Sequence, residues 1–268
     1  MRRLLVFVDS ERPDPYLNSV VHNLKAEPID AVTFVHVHGF PGAGAADGSS
    51  GLAKRTLAAV LQRIAALAER AEYVMPDGAT VGLDERNGAL SATQVMAFYA
   101  PVDGMPVNFQ SREIHYGELR SFLRGVRRAA GRYVVDVTGC RKRLLGDFIA
   151  LGLVDGLGEI RTLDLLVRAD FAKPWTALLH EVERARPRGY EYVDILETRI
   201  MMDCSRAVVI RAPRLRYASA LAVAFAVVGV ALNWFFGLDS GPARWTNVLA
   251  QFATFAALFF VFFPPRSV

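Results

Sequence analysis

Apolar and polar positions alternate in blocks along the first two hundred or so residues. Arg3 to Val8 (RLLVFV) is an apolar run, the mark of a strand buried on both faces. Asp9 to Pro15 is polar and turn-forming, and Tyr16 to Lys25 carries apolar residues at helical spacing. Ala31 to Val37 (AVTFVHV) predicts a second strand. A glycine-rich loop, GFPGAGAADGSSG, then leads into a helix over Leu52 to Glu72. Between Gly78 and Met105 the pattern is weaker, with a short strand near 80–83 and a helix near 91–97. Glu113 to Ala130 predicts a basic helix, Tyr133 to Val137 a strand, and Arg141 to Leu153 another helix. Arg161 to Val167 predicts a strand, and Pro174 to Arg186 a helix opened by Lys173-Pro174. Tyr190 to Leu196 and Arg206 to Arg211 predict an antiparallel edge pair. Strands alternating with helices predict an α/β, Rossmann-like, mostly parallel sheet with helices on both faces. Such sheets bind ligands outside the carboxyl ends of their strands.

After Arg216 the pattern changes. Tyr217 to Leu238 and Trp245 to Pro265 hold no charged residue, and DSGPAR, with Asp239 and Arg244, separates them. About 22 helical residues rise roughly 33 Å, against a hydrocarbon core of roughly 30 Å. Helices of a soluble core carry a polar stripe, which these runs lack. They predict a two-helix transmembrane hairpin with spans of about 217–238 and 245–265. Two domains follow, a Rossmann-like domain over 1–212 and the hairpin over 213–268. Arg206, Arg211, Arg214 and Arg216 precede the first span and Arg266 follows the second, so the positive-inside rule keeps the N-terminal domain and the tail cytoplasmic. Trp234 and Trp245 fall near the outer interface. The spans hold no ionisable residue for an ion relay. Asn233, Asn247, Gln251 and Thr254 read as hairpin packing, beside the small residues Ala218, Ala222, Gly229 and Ala250. Two helices cannot enclose a pore unless they oligomerise.

The net charge of +4 over 268 residues suits contact with anionic lipid or an anionic ligand. No Lys/Arg-rich run with interleaved aromatics and no zinc-finger spacing is present, so direct binding of DNA or RNA duplex is not expected. The two cysteines, Cys140 and Cys204, lie far apart outside any CxxC motif, which fits a reducing compartment. The start, MRRLLVFVDS, has too short an apolar stretch for a signal peptide and reads as a first strand.

Several catalytic patterns are missing. The glycine-rich loop lacks GxxxxGK, and its Gly42-x-Gly44 has no third glycine in place. Cys140 precedes Arg141 and Lys142 at a helix start, which could depress a thiol pKa. A cysteine phosphatase would want arginine six positions on, where Gly146 stands. His36 and His38 point to one side of their strand and, with Asp9, could form a metal site. Structural hydrogen bonding is the simpler account, and no metal is assigned.

The stretch Val134 to Phe148 (VVDVTGCRKRLLGDF) holds the densest chemistry. Asp136 ends a strand, Thr138 and Gly139 form a turn, and Arg141, Lys142 and Arg143 begin a helix. Exposed N–H groups at a helix start favour an anion. Three basic side chains there oppose the helix dipole, and an anionic ligand relieves that conflict; the alternative is that they extend into solvent.

This turn, DVTGCRK, resembles the DxTGGxK turn of CRISPR-associated Rossmann-fold (CARF) domains and their relatives in bacterial cyclic-nucleotide defence. It departs at Cys140, where that family usually has a second glycine. The motif spans Asp136 to Lys142, and the supporting strand pattern spans about the first 210 residues. The resemblance implies a homodimer with a cyclic oligonucleotide across its two-fold axis, held by this turn and by the loop after the first strand. Thr138, Gly139, Cys140, Arg141 and Lys142 would then contact the ligand, joined by Asp9, Ser10 and Arg12, a loop that no motif fixes. It implies no cofactor, and a ligand such as cyclic oligoadenylate or a related cyclic nucleotide.

Together these expectations describe a multi-pass protein of the bacterial inner membrane. Its cytoplasmic CARF-like domain binds a cyclic nucleotide signal and controls a homodimer or higher oligomer whose helices disrupt the bilayer in antiviral defence. Such a chain is a ligand-gated effector rather than an enzyme. The alternative is a membrane-anchored nucleotide hydrolase, a ring nuclease that degrades the same signal.

Overall fold

The computed structural model describes residues 2–40 and 50–204, except 76, 85, 89, 130, 131, 157, 167–169, 171 and 185–188, together with 223, 224, 227, 231, 234, 245 and 248. The chain divides into two compact units, Met1–Leu196 and Glu197–Val268.

The first unit is built on strand β1 (Arg2–Val8), whose side chains alternate between two apolar layers. Leu4, Val6 and Val8 enter one cluster, and Leu5 and Phe7 enter the other. Strand β2 (Ala31–His38) divides likewise, with Val32 and Phe34 on the first side and Val35 and Val37 on the second. Both faces are covered by helices, which is why these strands read as apolar runs without polar alternation. Helices α1 (Asp14–Ala26), α2 (Leu52–Arg70) and α3 (Ala92–Asp103) send Leu17, Val20, Val60, Ile64, Leu67, Val95 and Tyr99 into the first layer. Helices α4 (Leu119–Ala129) and α5 (Lys142–Asp155) send Leu119, Leu123, Leu144 and Phe148 into the second. The Phe148 ring meets Phe7 edge-on at 4.4 Å between centroids. Asp155 ties α5 to α4 by accepting from Arg120 and Arg124, at 2.7 and 2.9 Å.

The six-stranded sheet has the order β5-β2-β1-β6-β7-β8, where β5 is Asn108–His115, β6 Arg132–Asp136, β7 Glu159–Leu165 and β8 Tyr190–Asp194. Its pairings are parallel except β7 with β8, which is antiparallel. This is the α/β, Rossmann-like architecture that the sequence predicts. The chain builds outward from β1 through β2 to β5, then crosses back to place β6 on the other side of β1. A small hairpin, β3 (Glu72–Val74) with β4 (Thr80–Gly82), forms a separate sheet.

The structure corrects two expectations. The predicted helix over 113–130 begins only at Leu119; Asn108–His115 is instead edge strand β5, followed by a 3-10 turn over Tyr116–Glu118. Most of β5 is exposed, so burial imposes little apolar pattern on it. The predicted helix from Pro174 is a 3-10 turn over Pro174–Ala177 and a short helix α6 over Leu179–Val182. Among the described strands β8 pairs antiparallel with β7; the strand predicted at 206–211 as its antiparallel partner lies outside the described residues.

In the second unit, residues 199–204 are helical, with Ile200 and Met202 exposed. Most of both predicted membrane spans, 217–238 and 245–265, lies outside the described residues. Within them, Val223, Ala224, Val227, Ala231, Trp234, Trp245 and Val248 are helical and exposed. No helix among the described residues is long and apolar enough to cross a membrane.

Candidate functional site

The chain crosses back between β1 and β6, and the carboxyl ends of these strands mark the reversal of order where sheets of this kind hold ligands. Two of the segments singled out in the sequence meet there: the loop after β1 and the turn after β6. Asp9 joins them. Its Oδ2 accepts a hydrogen bond from the backbone N–H of Arg141 at 3.1 Å and lies 2.8 Å from the Arg141 Nε. One carboxylate thereby caps the approach to α5 and anchors the first basic side chain.

Tyr16, on α1, seats both segments from below. Its hydroxyl accepts from the N–H of Asp9 at 3.0 Å and of Ser10 at 3.2 Å. Its ring lies so close under Gly139 that a Cβ there would fall inside it. Gly139 therefore answers a close approach and not a left-handed backbone. Burial pushes the Tyr16 phenol pKa up, so the hydroxyl stays protonated.

Beneath the turn sits Asp136, fully buried. Its Oδ1 accepts from the Thr138 N–H at 3.1 Å, and its Oδ2 from the hydroxyls of Ser19 and of Tyr192, the latter at 2.6 Å. Asn23 donates to the same Tyr192 oxygen at 2.7 Å. Burial raises the Asp136 carboxyl pKa, while the bonds from Ser19, Tyr192 and Thr138 pull it back. The network holds the turn against α1 and β8. Sequence reading missed Tyr16, Ser19 and Tyr192, because each acts through partners far away in the chain.

The predicted residues separate into two groups. Ser10, Arg12, Arg141 and Lys142 are exposed, Arg12 just before α1 and Lys142 as the first residue of α5. The side chains of Thr138 and Cys140 turn inward. Thr138 Oγ1 accepts from the Leu163 N–H at 2.9 Å, and Cys140 Sγ lies 3.7 Å from the Phe7 carbonyl. The expectation of a depressed Cys140 thiol pKa is corrected: burial first, then the charges of Asp136 and Asp9, push it well up, against the thiolate a nucleophile needs. His36 is buried and bonds Glu113 Oε2 at 2.6 Å, while Glu113 Oε1 accepts from the Ala53 N–H at the start of α2. Among the described residues, no group of three or more His, Cys, Asp or Glu is placed to hold a metal ion.

The first turn of α5 carries no acidic residue, and the side chain of its N-cap residue, Arg141, accepts no hydrogen bond from it. Its N–H groups lie beside the exposed Lys142 and Arg143 at the helix start, an arrangement that accepts an anion. No family model matches the chain, and no curated protein matches it. Among solved structures it is similar to Enterococcus italicus Csm6 bound to cyclic hexa-2'-fluoro-hexa-dAMP, with a TM-score of 0.40 and 9% sequence identity. The likeness covers 97% of this chain and 56% of that one, so the chain spans little more than half of that protein's length. The Rossmann-like architecture stands on the strand order itself.

Proposed function

We propose that the site at the carboxyl ends of β1 and β6 binds the phosphates of a nucleotide signal, a cyclic oligonucleotide such as cyclic oligoadenylate. One observation carries the reading: Asp9 holds the β1 loop against the basic start of α5 at the point where the strand order reverses. Anions are favoured there by the helix N–H groups and by Arg141 and Lys142. The resemblance of Asp136 to Lys142 to the CARF turn supports a cyclic oligonucleotide over a single phosphate.

The proposal extends to the second unit. Two apolar runs without charge, 217–238 and 245–265, form a hairpin in the bacterial inner membrane, with the sensor on the cytoplasmic side. Ligand shared between two chains favours the dimer or a higher oligomer, whose clustered hairpins disrupt the bilayer. Moving such an equilibrium from 1:99 to 99:1 takes a differential affinity of about 5.5 kcal/mol, a size that several phosphates on paired basic turns can supply. The raised thiol of Cys140 gives a thiol-based hydrolase no support.

Isothermal titration of the detergent-solubilised chain against cyclic di-, tri-, tetra- and hexanucleotides tests the reading. The expected result is tight binding of one ring at one ligand per two chains. No binding across the panel overturns it.

A further inference from the structure

Beside the basic helix start, on the α4/α5 side of the sheet, stands a pair of aromatic rings that the phosphate-binding reading leaves unused. Phe40 follows the end of β2 and Tyr116 follows the end of β5. Their centroids are 4.9 Å apart and their planes are inclined by 41°. The Arg143 guanidinium carbon lies 5.8 Å from the Phe40 centroid and 5.9 Å from that of Tyr116. Both rings are half-buried against the second apolar layer and Arg143 is exposed, so the cluster reaches the surface.

Its geometry is held from several sides. Gly39, at φ +76°, turns the chain out of β2, and a Cβ there would collide with the His115 ring. The ends of β2 and β5 are paired, with His38 opposite His115, which brings Phe40 to Tyr116. The Tyr116 hydroxyl donates to Asp147 Oδ2 at 3.0 Å, fixing the ring against α5. Arg143 belongs to the same first turn of α5 as Lys142, within about 5.4 Å along the helix axis.

We propose that Phe40, Tyr116 and Arg143 form a stacking platform for one base of the bound nucleotide; this rests on the nucleotide reading above. A base presents a flat π-face that aromatic rings and a guanidinium plane accept together. Rings fixed beforehand lose little conformational freedom when the base arrives. The platform and the anion site share one helical turn, so a phosphate held at Lys142 delivers its own nucleotide's base toward Arg143. Stacking is strongest for the larger purine face, so the platform favours purine over pyrimidine.

The test is titration of the detergent-solubilised full chain with cyclic adenylates of three, four and six residues and with uridylate rings of the same sizes. Each pair carries the same phosphate charge and differs only in the base. The wild-type chain is expected to bind an adenylate ring more tightly than its uridylate partner. Phe40→Ala and Arg143→Met are expected to weaken adenylate binding about 10- to 100-fold and uridylate binding less, collapsing the ratio, while Phe40→Trp keeps it. Because Arg143 is exposed, Arg143→Met reads the platform even if Phe40→Ala does not fold. Equal wild-type affinity for the two bases, or an unchanged ratio in Arg143→Met, overturns the platform and leaves the anion site standing. Failure of the wild-type chain to bind any ring overturns the nucleotide reading and the platform together.

Discussion

The Tyr16 ring lies directly beneath Gly139, so that the turn after β6 rests on an aromatic surface supplied by α1. The same side chain binds the N–H groups of Asp9 and Ser10. One residue thus sets the height of both segments of the candidate site. Gly139→Ala must displace the fully buried Tyr16 ring, and overpacking of this kind costs about 1–3 kcal/mol. Urea denaturation should show that loss. It should be smaller in a Tyr16→Leu background, since the two substitutions act on one contact and are not additive.

Tyr192→Phe removes a donor to buried Asp136 and a partner of Asn23. Leaving buried polar groups unsatisfied costs about 1–3 kcal/mol. The expected outcome in chemical denaturation is a lower midpoint with an unchanged m-value. An unchanged midpoint would show that the network contributes nothing to stability.

His180 gives a pH dependence of known sign. Its Nδ1 lies 2.8 Å from the Tyr99 hydroxyl, and burial lowers its pKa to about 4. The folded value lies below the unfolded value of about 6.5, so as pH falls the unfolded chain takes up this proton first. Stability is therefore full above about pH 6.5 and lost progressively down to about pH 4, a total of about 3 kcal/mol. Asp136, whose pKa is raised, acts in the opposite sense, losing stability as pH rises through its folded value. Comparing His180→Gln with the wild-type chain cancels Asp136 and isolates the histidine. The variant should lose less stability than the wild-type chain between pH 6.5 and 4, the share of His22, whose pKa burial also lowers, remaining in both; identical pH profiles would contradict the assignment.

Lys142→Glu reverses a charge at the first position of α5 without touching the core. Nucleotide binding should be abolished and the melting temperature nearly unchanged. Retained affinity would remove the anion site from this turn.

A chain ending at Arg216 lacks both uncharged apolar runs. It should be extracted without detergent, bind nucleotide as the full chain does, and show no toxicity on expression. Toxicity surviving the truncation would move the effector activity into the N-terminal unit.

The sequence by itself determined the strands that are buried on both faces. RLLVFV, AVTFVHV and the run before Asp136 are apolar because β1, β2 and β6 lie at the centre of the sheet between two helical layers. The start of α5 was legible for the same local reason, as a turn glycine followed by basic residues. Strand β5 (NFQSREIH) was not legible: it lies at the edge, mostly exposed, so burial writes no period into it and its charges imitate a solvated helix. Only the tertiary structure decided that β6 crosses back beside β1, because strand pairing is a contact between distant residues that no local pattern encodes. That single placement brings Asp9 to Arg141 and Tyr16 under Gly139, and the ends of β2 and β5 carry Phe40 to Tyr116. The residue types of the site are local in the chain, but their meeting depends on the sheet.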